Sequence, residues 1–396
     1  MPSLTKTLLS PAPFNWPQLL VLAAAGFVSV TTELLPVGLL TLISNEFEVS
    51  EVGAGLLVAA YSVIVVFTVI PLSRLTSRVP RRRLMVATLI AFLVGTLVLV
   101  AAPNFQIALF GRLISGAAHG MLWSVLAPYV SRIVPTKDVT KGLAVMFSGS
   151  TLGLAAGTPL GTSLGQLLGW RFAFVVLAGA TAVAAILVRC MLPEIPGATP
   201  GAHASPLLTA LRMPCVMPQL TAWTLQVAAH FGLMTYISSF FAGRGLLPAV
   251  TATALSALGL AALAGIWIAG VTAHRLNKPA LIISCVMMAA CYIALSVGRL
   301  DSLWAIILVT IWGTAQSASN VFNQTAVLAF SGPNAEAVNS MVVVAIQIGI
   351  TAGSIFGGAA VQALGVEQLP LALLVLLTGS LILVVRAHGF QIARNR

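Results

Sequence analysis

Apolar runs long enough to cross a bilayer recur along nearly the whole chain. They fall at about 17–42, 53–73, 83–102, 106–131, 141–165 and 171–193, then at about 217–242, 251–273, 279–298, 303–330, 337–363 and 368–387. Few architectures accept such a pattern. In lipid every backbone polar group must be satisfied within the chain, and runs of this length do so as helices. The expected fold is therefore an all-α polytopic membrane protein of about twelve transmembrane helices. The composition agrees, since 59% of the 396 residues are hydrophobic and 7% are charged. The opening MPSLTKTLLSPAPFNW has no cleavage signature, so the first run is expected to stay as a helix.

The one long connector, PEIPGATPGAHASPLLTALRMP, divides the runs six and six. It defines an N-terminal six-helix bundle (1–194), a linker (195–216) and a C-terminal six-helix bundle (217–396), expected to be pseudo-symmetric. Gly149, Gly153, Gly157, Gly161 and Gly165 stand four residues apart, with Pro159 among them, and Gly349, Gly353 and Gly357 repeat the spacing about two hundred residues later. Four residues return nearly to the same helix face, so each set makes a groove that admits another backbone. A groove recurring at half the chain length points to a duplicated bundle whose halves pack closely and move.

The net charge of +11 would suit a nucleic-acid partner, but its distribution does not. With twelve spans, one side of the membrane holds Lys6, Arg74, Arg78, Arg81, Arg82, Arg83, Arg132, Lys137, Lys141, Arg189, Arg212, Arg275, Lys278, Arg386, Arg394 and Arg396, whereas Glu46, Glu48, Glu51, Asp301 and Glu367 lie on the other. This is the positive-inside bias of a multi-pass bacterial inner-membrane protein with both termini in the cytoplasm. No nucleic acid is expected as a partner. Cys190, Cys215, Cys285 and Cys291 form no C-x-x-C pair, and no Walker loop, dinucleotide fingerprint, metal-ligand cluster or nucleophile–base set is visible, so neither metal nor cofactor nor enzyme activity is expected.

Glu33 is the acid well inside a span, in TTELLPVGLL. An ionised carboxylate at mid-bilayer costs about 2.5–3.5 kcal/mol, so it should pair, face the interior or protonate. It is either a proton switch or a carboxylate retained for helix packing. Arg112 sits at similar depth in the fourth span and is the expected partner. Arg112, Gly116, His119, Gly120 and Trp123 share one helical face, and His119 is either a proton relay or a neutral interhelical bond. In the second half Gln226, His230, Thr235 and Tyr236 of the seventh span, Gln316, Asn320, Asn323 and Gln324 of the tenth, and Asn339 and Gln347 of the eleventh form a neutral polar set. These are solute contacts or interhelical hydrogen bonds. The run Arg74 to Arg83 reads as a loop that caps helix ends and locks the halves together when that side is shut.

These motifs resemble the major facilitator superfamily, and within it the twelve-span drug:proton antiporter branch. GTPLG (Gly157 to Gly161) is similar to the antiporter motif of the fifth span, with Thr158 inserted before Pro159. Arg112 with GAAHG is similar to the fourth-span motif, whose arginine is implicated in proton transfer. TTELLPVGLL resembles the first span of bacterial arabinose and sugar exporters, where Glu33 would be the coupling acid, and Gln347-Ile348-Gly349 resembles their Asn-x-Gly, with Gln replacing Asn. In the loop after span two, Arg78, Arg81 and Arg82 match the superfamily pattern, while Ser77 and Ser73 replace its aspartate and opening glycine. Gly270, Arg275 and Lys278 fit the same motif in the second half. The resemblance implies a proton-coupled exporter of small neutral or weakly polar solutes such as sugars, working by alternating access. Its alternatives are a multidrug, antibiotic or nucleoside exporter, an uncoupled facilitator or importer, and a non-transporting sensor. Because one chain supplies both repeats, a monomer in the lipid bilayer is the expected unit.

Overall fold

The computed structural model describes residues 15–49, 51–197, 213, 215–297 and 301–386. The described residues fold into helices. The first set is α1 (Trp16–Gly38), α2 (Leu40–Glu46), α3 (Glu51–Leu75), α4 (Arg81–Ala101), α5 (Phe105–Ile133), α6 (Val139–Leu152), α7 (Thr158–Leu168) and α8 (Trp170–Met191). The second is α9 (Val216–Gly243), α10 (Pro248–Ser296), α11 (Ser302–Ser331), α12 (Ala335–Leu364) and α13 (Leu369–Arg386). Among the described residues 11 helical segments are long and apolar enough to span a membrane. The 28-residue α9 supplies a twelfth of sufficient length, made more polar by Gln219, Gln226 and His230. The chain is a multi-pass, all-α membrane protein.

Four expected spans depart from simple helices. The first is broken at Leu39, three residues after Pro36, where the Leu39 amide donates to the Pro36 carbonyl at 3.0 Å. The fifth is interrupted by a π turn over Gly153–Gly157, where the Thr158 amide reaches back five residues to the Gly153 carbonyl. Pro159 explains the wide turn, because it offers no amide to the carbonyls one turn behind it. The eighth and ninth both fall within α10, with no separate loop between them. Straight, 49 residues would measure about 74 Å, over twice the hydrocarbon thickness of about 30 Å. Instead the two arms double back. Leu258 meets Gly313 while Tyr292 meets Trp312, and Ala269 and Leu281 share one apolar cluster with Val321.

The glycine ladders pack within each set of helices rather than between the sets. A Cβ on Gly149 would lie 1.9 Å from the Ala23 carbonyl oxygen, and Cβ atoms on Gly153, Gly157, Gly161 and Gly165 would meet Phe27, Thr31, Leu35 and Leu39 in turn. Every fourth residue of one helix thus faces every fourth residue of α1. The second set repeats the arrangement: Gly349, Gly353 and Gly357 face Thr224, Ala228 and Gly232 of α9. Both ladders end on a left-handed glycine, Gly169 (φ 94°) and Gly365 (φ 87°). Apolar burial gives no drive for helix association inside lipid, so such close backbone packing has to supply it.

One end of the molecule carries Arg81, Arg132, Lys141 and Arg386, and is called the basic end below. There the two sets touch: Trp16 stacks on Trp267 with ring centroids 6.2 Å apart, Gly270 abuts Ala144, and Thr325 bonds Thr140 at 3.4 Å.

Gly149→Val should lower the apparent Tm in detergent by several degrees, as expected for overpacking of about 1–3 kcal/mol or more. Gly179→Ala, where a Cβ meets nothing within 4 Å, should be neutral or slightly stabilising. Equal behaviour of the two variants would contradict the backbone contact.

Candidate functional site

Pro36 also shapes the chemistry of α1. Without its amide, the carbonyl of Thr32, four residues earlier, has no helical donor. Arg112 of α5 supplies one: its Nη1 donates to Thr32 O at 2.8 Å, its Nη2 to Glu33 O at 3.1 Å and its Nε to Leu57 O of α3 at 3.0 Å. The guanidinium is fully buried and lies 4.2 Å above the Tyr61 ring. Gly116 and Gly120 let α5 close on α3, since Cβ atoms there would meet Tyr61 O at 2.7 Å and Val69 Cβ at 3.1 Å. The expected ion pair between Glu33 and Arg112 is therefore absent. The arginine binds the backbone of Glu33 and leaves the carboxylate to other groups.

Those groups are His119 and Gln347. His119 Nε2 is 3.7 Å from Glu33 Oε2, and Gln347 Nε2 donates to Glu33 Oε1 at 3.4 Å. His119 is held by Ser29 Oγ at 2.9 Å from its Nδ1 and by the rings of Tyr61 and Trp123. Ser29 stands one turn before Glu33, so α1 presents both groups to the imidazole. The carboxylate is 16% exposed, whereas His119 and Gln347 are 5%. Gln347 comes from the second set of helices, so this acid lies at a junction between the sets.

The polar set of α9 and α11 separates into two kinds. Gln226 accepts from Ser319 Oγ (2.9 Å) and Asn323 Nδ2 (2.8 Å), and Asn323 Oδ1 accepts from Gln219 Nε2 (2.6 Å). These groups are fully buried and serve one another, with Gln219 Oε1 left without a partner among the described residues. Gln324 Nε2 donates to Asn339 Oδ1, whose Nδ2 reaches the Trp123 and Ser124 carbonyls of α5 at 2.6 and 3.0 Å. Nearer the opposite end, Thr235 and Tyr236 bond Ser354 of α12. The other kind keeps unused capacity. Gln316 Oε1, His230 Nδ1, and the indole nitrogens of Trp312 and Trp123 have no hydrogen-bond partner among the described residues, nor has the Tyr61 hydroxyl. His230 leans on Trp312 with centroids 4.9 Å apart, and Asn320 is half-buried beside Gln316.

At the basic end Glu336, which begins α12, takes Arg81 at 2.5 Å and Arg132 at 2.9 Å. Arg81 is almost wholly buried and also donates to the carbonyls of Thr76, Ser77 and Val79. Arg82 stays within its own set, bound to Glu194 and the Leu192 carbonyl, and Arg78 is exposed. Lys278 donates to the Val385 carbonyl at 2.9 Å; the side chain of Arg275 lies outside the described residues. Sequence reasoning passed over Glu336, Ser29, Ser354 and Tyr61. A lone acid opening the eleventh run on the arginine-rich side was the signal for Glu336, whereas Tyr61 gave none.

Comparison with known proteins bears on this geometry. The profile described as Major Facilitator Superfamily matches residues 21–354. The chain is 32% identical over 350 residues to a chloramphenicol efflux pump of Mycobacterium tuberculosis, covering 86% of this chain and 85% of the relative. It is also 32% identical over 359 residues to a protein of Mannheimia succiniciproducens described as a probable sugar efflux transporter, covering 89% of each. Among solved structures it resembles the transporter FucP in the outward conformation, with a TM-score of 0.79 at 15% identity over 93% of this chain and 97% of that one.

Glu336→Gln should weaken closure of the basic end, because Arg81 is left buried with less compensation. In a background without the native cysteines, Ser124→Cys should then react with a small thiol reagent several-fold faster. An unchanged rate would show that Glu336 does not hold that end shut.

Proposed function

The chain belongs to the Major Facilitator Superfamily, and from that premise we propose that this transporter exports a small uncharged solute in exchange for protons. It is not an enzyme. The observation that carries the reading is Glu33: a largely buried carboxylate placed against a histidine of its own set and a glutamine of the other. Protonation at that point changes the attraction between the two sets of helices, which is what coupling requires. Names carried by the relatives support export, and of sugars or chloramphenicol in particular.

In the proposed cycle, the form with its basic end shut admits external protons to Glu33. A protonated carboxyl accepts more weakly from Gln347, so the link across the sets loosens and the basic end opens. The solute enters from the cytoplasm and binds between α9 and α11, near His230, Gln316 and Asn320. Loss of the proton to the cytoplasm restores the Glu33 contacts and returns the solute outward. A membrane potential contributes about 2.3 kcal/mol per charge per 100 mV, and a pH difference about 1.4 kcal/mol per unit. The basic end is assigned to the cytoplasm by its arginines, with both termini there and the inner membrane of a bacterium as location. One chain carries both sets of helices, and a monomer is the working unit.

An uncharged solute follows from how the cations are used. Arg112 is committed to three carbonyls and the Tyr61 ring, and the polar atoms left unpaired near it and between α9 and α11 are amides, indoles, an imidazole and a phenol hydroxyl. None of these groups carries a permanent positive charge to neutralise an anionic solute.

Glu33→Gln should keep solute binding within about threefold yet abolish uphill flux in proteoliposomes under an imposed pH gradient. Full pH-driven efflux by that variant would overturn the scheme. Flux without any uphill component in the unaltered protein would identify a facilitator.

A further inference from the structure

The polar atoms between α9 and α11 have a fixed sense that can be deduced without reference to how the amides are drawn. An indole nitrogen donates and never accepts. Trp223 Nε1 lies 3.0 Å from the side chain of Asn320, so the Asn320 atom facing it is the carbonyl oxygen. The side chain of Gln316, one turn earlier on α11, approaches that same oxygen at 3.1 Å. Gln316 must therefore present its amide nitrogen there, which leaves Oε1 on its other side. That Oε1 is buried and has no partner among the described residues, and the Asn320 Nδ2 likewise makes no hydrogen bond among them.

One donor-only ring thus sets the polarity of two amides. Asn320 is left offering a donor and Gln316, one turn earlier, an acceptor, and Asn320 is half-buried rather than enclosed. The unpaired Gln316 oxygen lies in a low-dielectric environment, where an unmet polar group is costly. Its complement is a group that donates and accepts at once, and a hydroxyl is the smallest of these. An ether oxygen satisfies Asn320 but strands Gln316. Neither amide offers a charge to an ionised group.

Resting on the export reading above, we propose that Asn320 and Gln316 read a hydroxyl of the solute as both acceptor and donor, and that Trp223 is the positioning residue that fixes their sense. The solute class is an uncharged hydroxylated molecule. Two sources share that chemistry, a sugar and a chloramphenicol-like compound, and the test separates them.

Equilibrium binding to the purified full-length protein is measured for L-arabinose and its mono-O-methyl ethers, and for chloramphenicol and its two mono-O-methyl ethers. The unaltered protein should bind one parent and discriminate against one of its ethers by about tenfold or more. Trp223→Phe keeps the ring and removes the N–H, so Asn320 is free to turn over. Discrimination should fall to about threefold or less, with a smaller change in the affinity of the discriminated ether than of the parent. Gln316→Met removes the acceptor and should flatten the series in the same way; it also covers the case in which the tryptophan variant does not fold. Undiminished discrimination in both variants overturns the proposal. So does an unaltered protein that tolerates every ether or binds neither parent. Proton uptake on acidification, read separately in Glu33→Gln and unaltered protein, distinguishes that failure from a failure of the proton-exchange reading.

Discussion

Pro36 strips the Thr32 carbonyl of its helical donor, and Arg112 takes the place of the missing amide. Much of the first set of helices is arranged around that substitution. A buried guanidinium is tolerable only with its protons satisfied and its charge screened, and three carbonyls from α1 and α3 with the Tyr61 ring do so. In return α5 is pinned to both helices, which sets His119 one face away from Ser29 and Glu33. Because Arg112 engages the backbone, the Glu33 carboxylate keeps its freedom to change partners. An arginine bound to the carboxylate itself would have held it ionised and quiet.

The second consequence concerns where the two sets meet. Contacts between them run from the basic end, through Glu336 with Arg81 and Arg132 and through Asn339 with α5, up to Gln347 and Glu33. The glycine ladders do not take part in this boundary. They stiffen each set internally by seating α6 and α7 on α1, and α12 on α9. Opening the basic end means parting these polar contacts together with the apolar ones beside them, Trp16 on Trp267 and Ala144 against Gly270, while each ladder stays closed. That is the mechanical requirement for a site reached from alternate sides.

The elements legible in the sequence were those governed by repetition and by membrane cost. Apolar length gave the spans, four-residue glycine spacing gave the ladders, and the rarity of an acid in a span marked Glu33. What stayed hidden depended on partners from distant helices. Sequence depth placed Arg112 beside Glu33, but could not tell a backbone carbonyl from a carboxylate. Gln226 and Asn323 look like Gln316 and Asn320 in composition, yet the first two satisfy each other and the last two keep atoms spare. The π turn at Gly153–Gly157 and the doubled-back α10 were also invisible, because periodicity fixes neither hydrogen-bond register nor the direction of a connecting turn.

The central claim is that the protonation of Glu33 governs whether the basic end is open. Pairs of spin labels across that end, in a cysteine-free protein, report the separation of the two sets by pulsed electron resonance as pH is varied. The account predicts that the long-distance population grows as Glu33 protonates at falling pH, and that Glu33→Gln shows it at every pH. A pH response in Glu33→Gln matching that of the unaltered protein would contradict it.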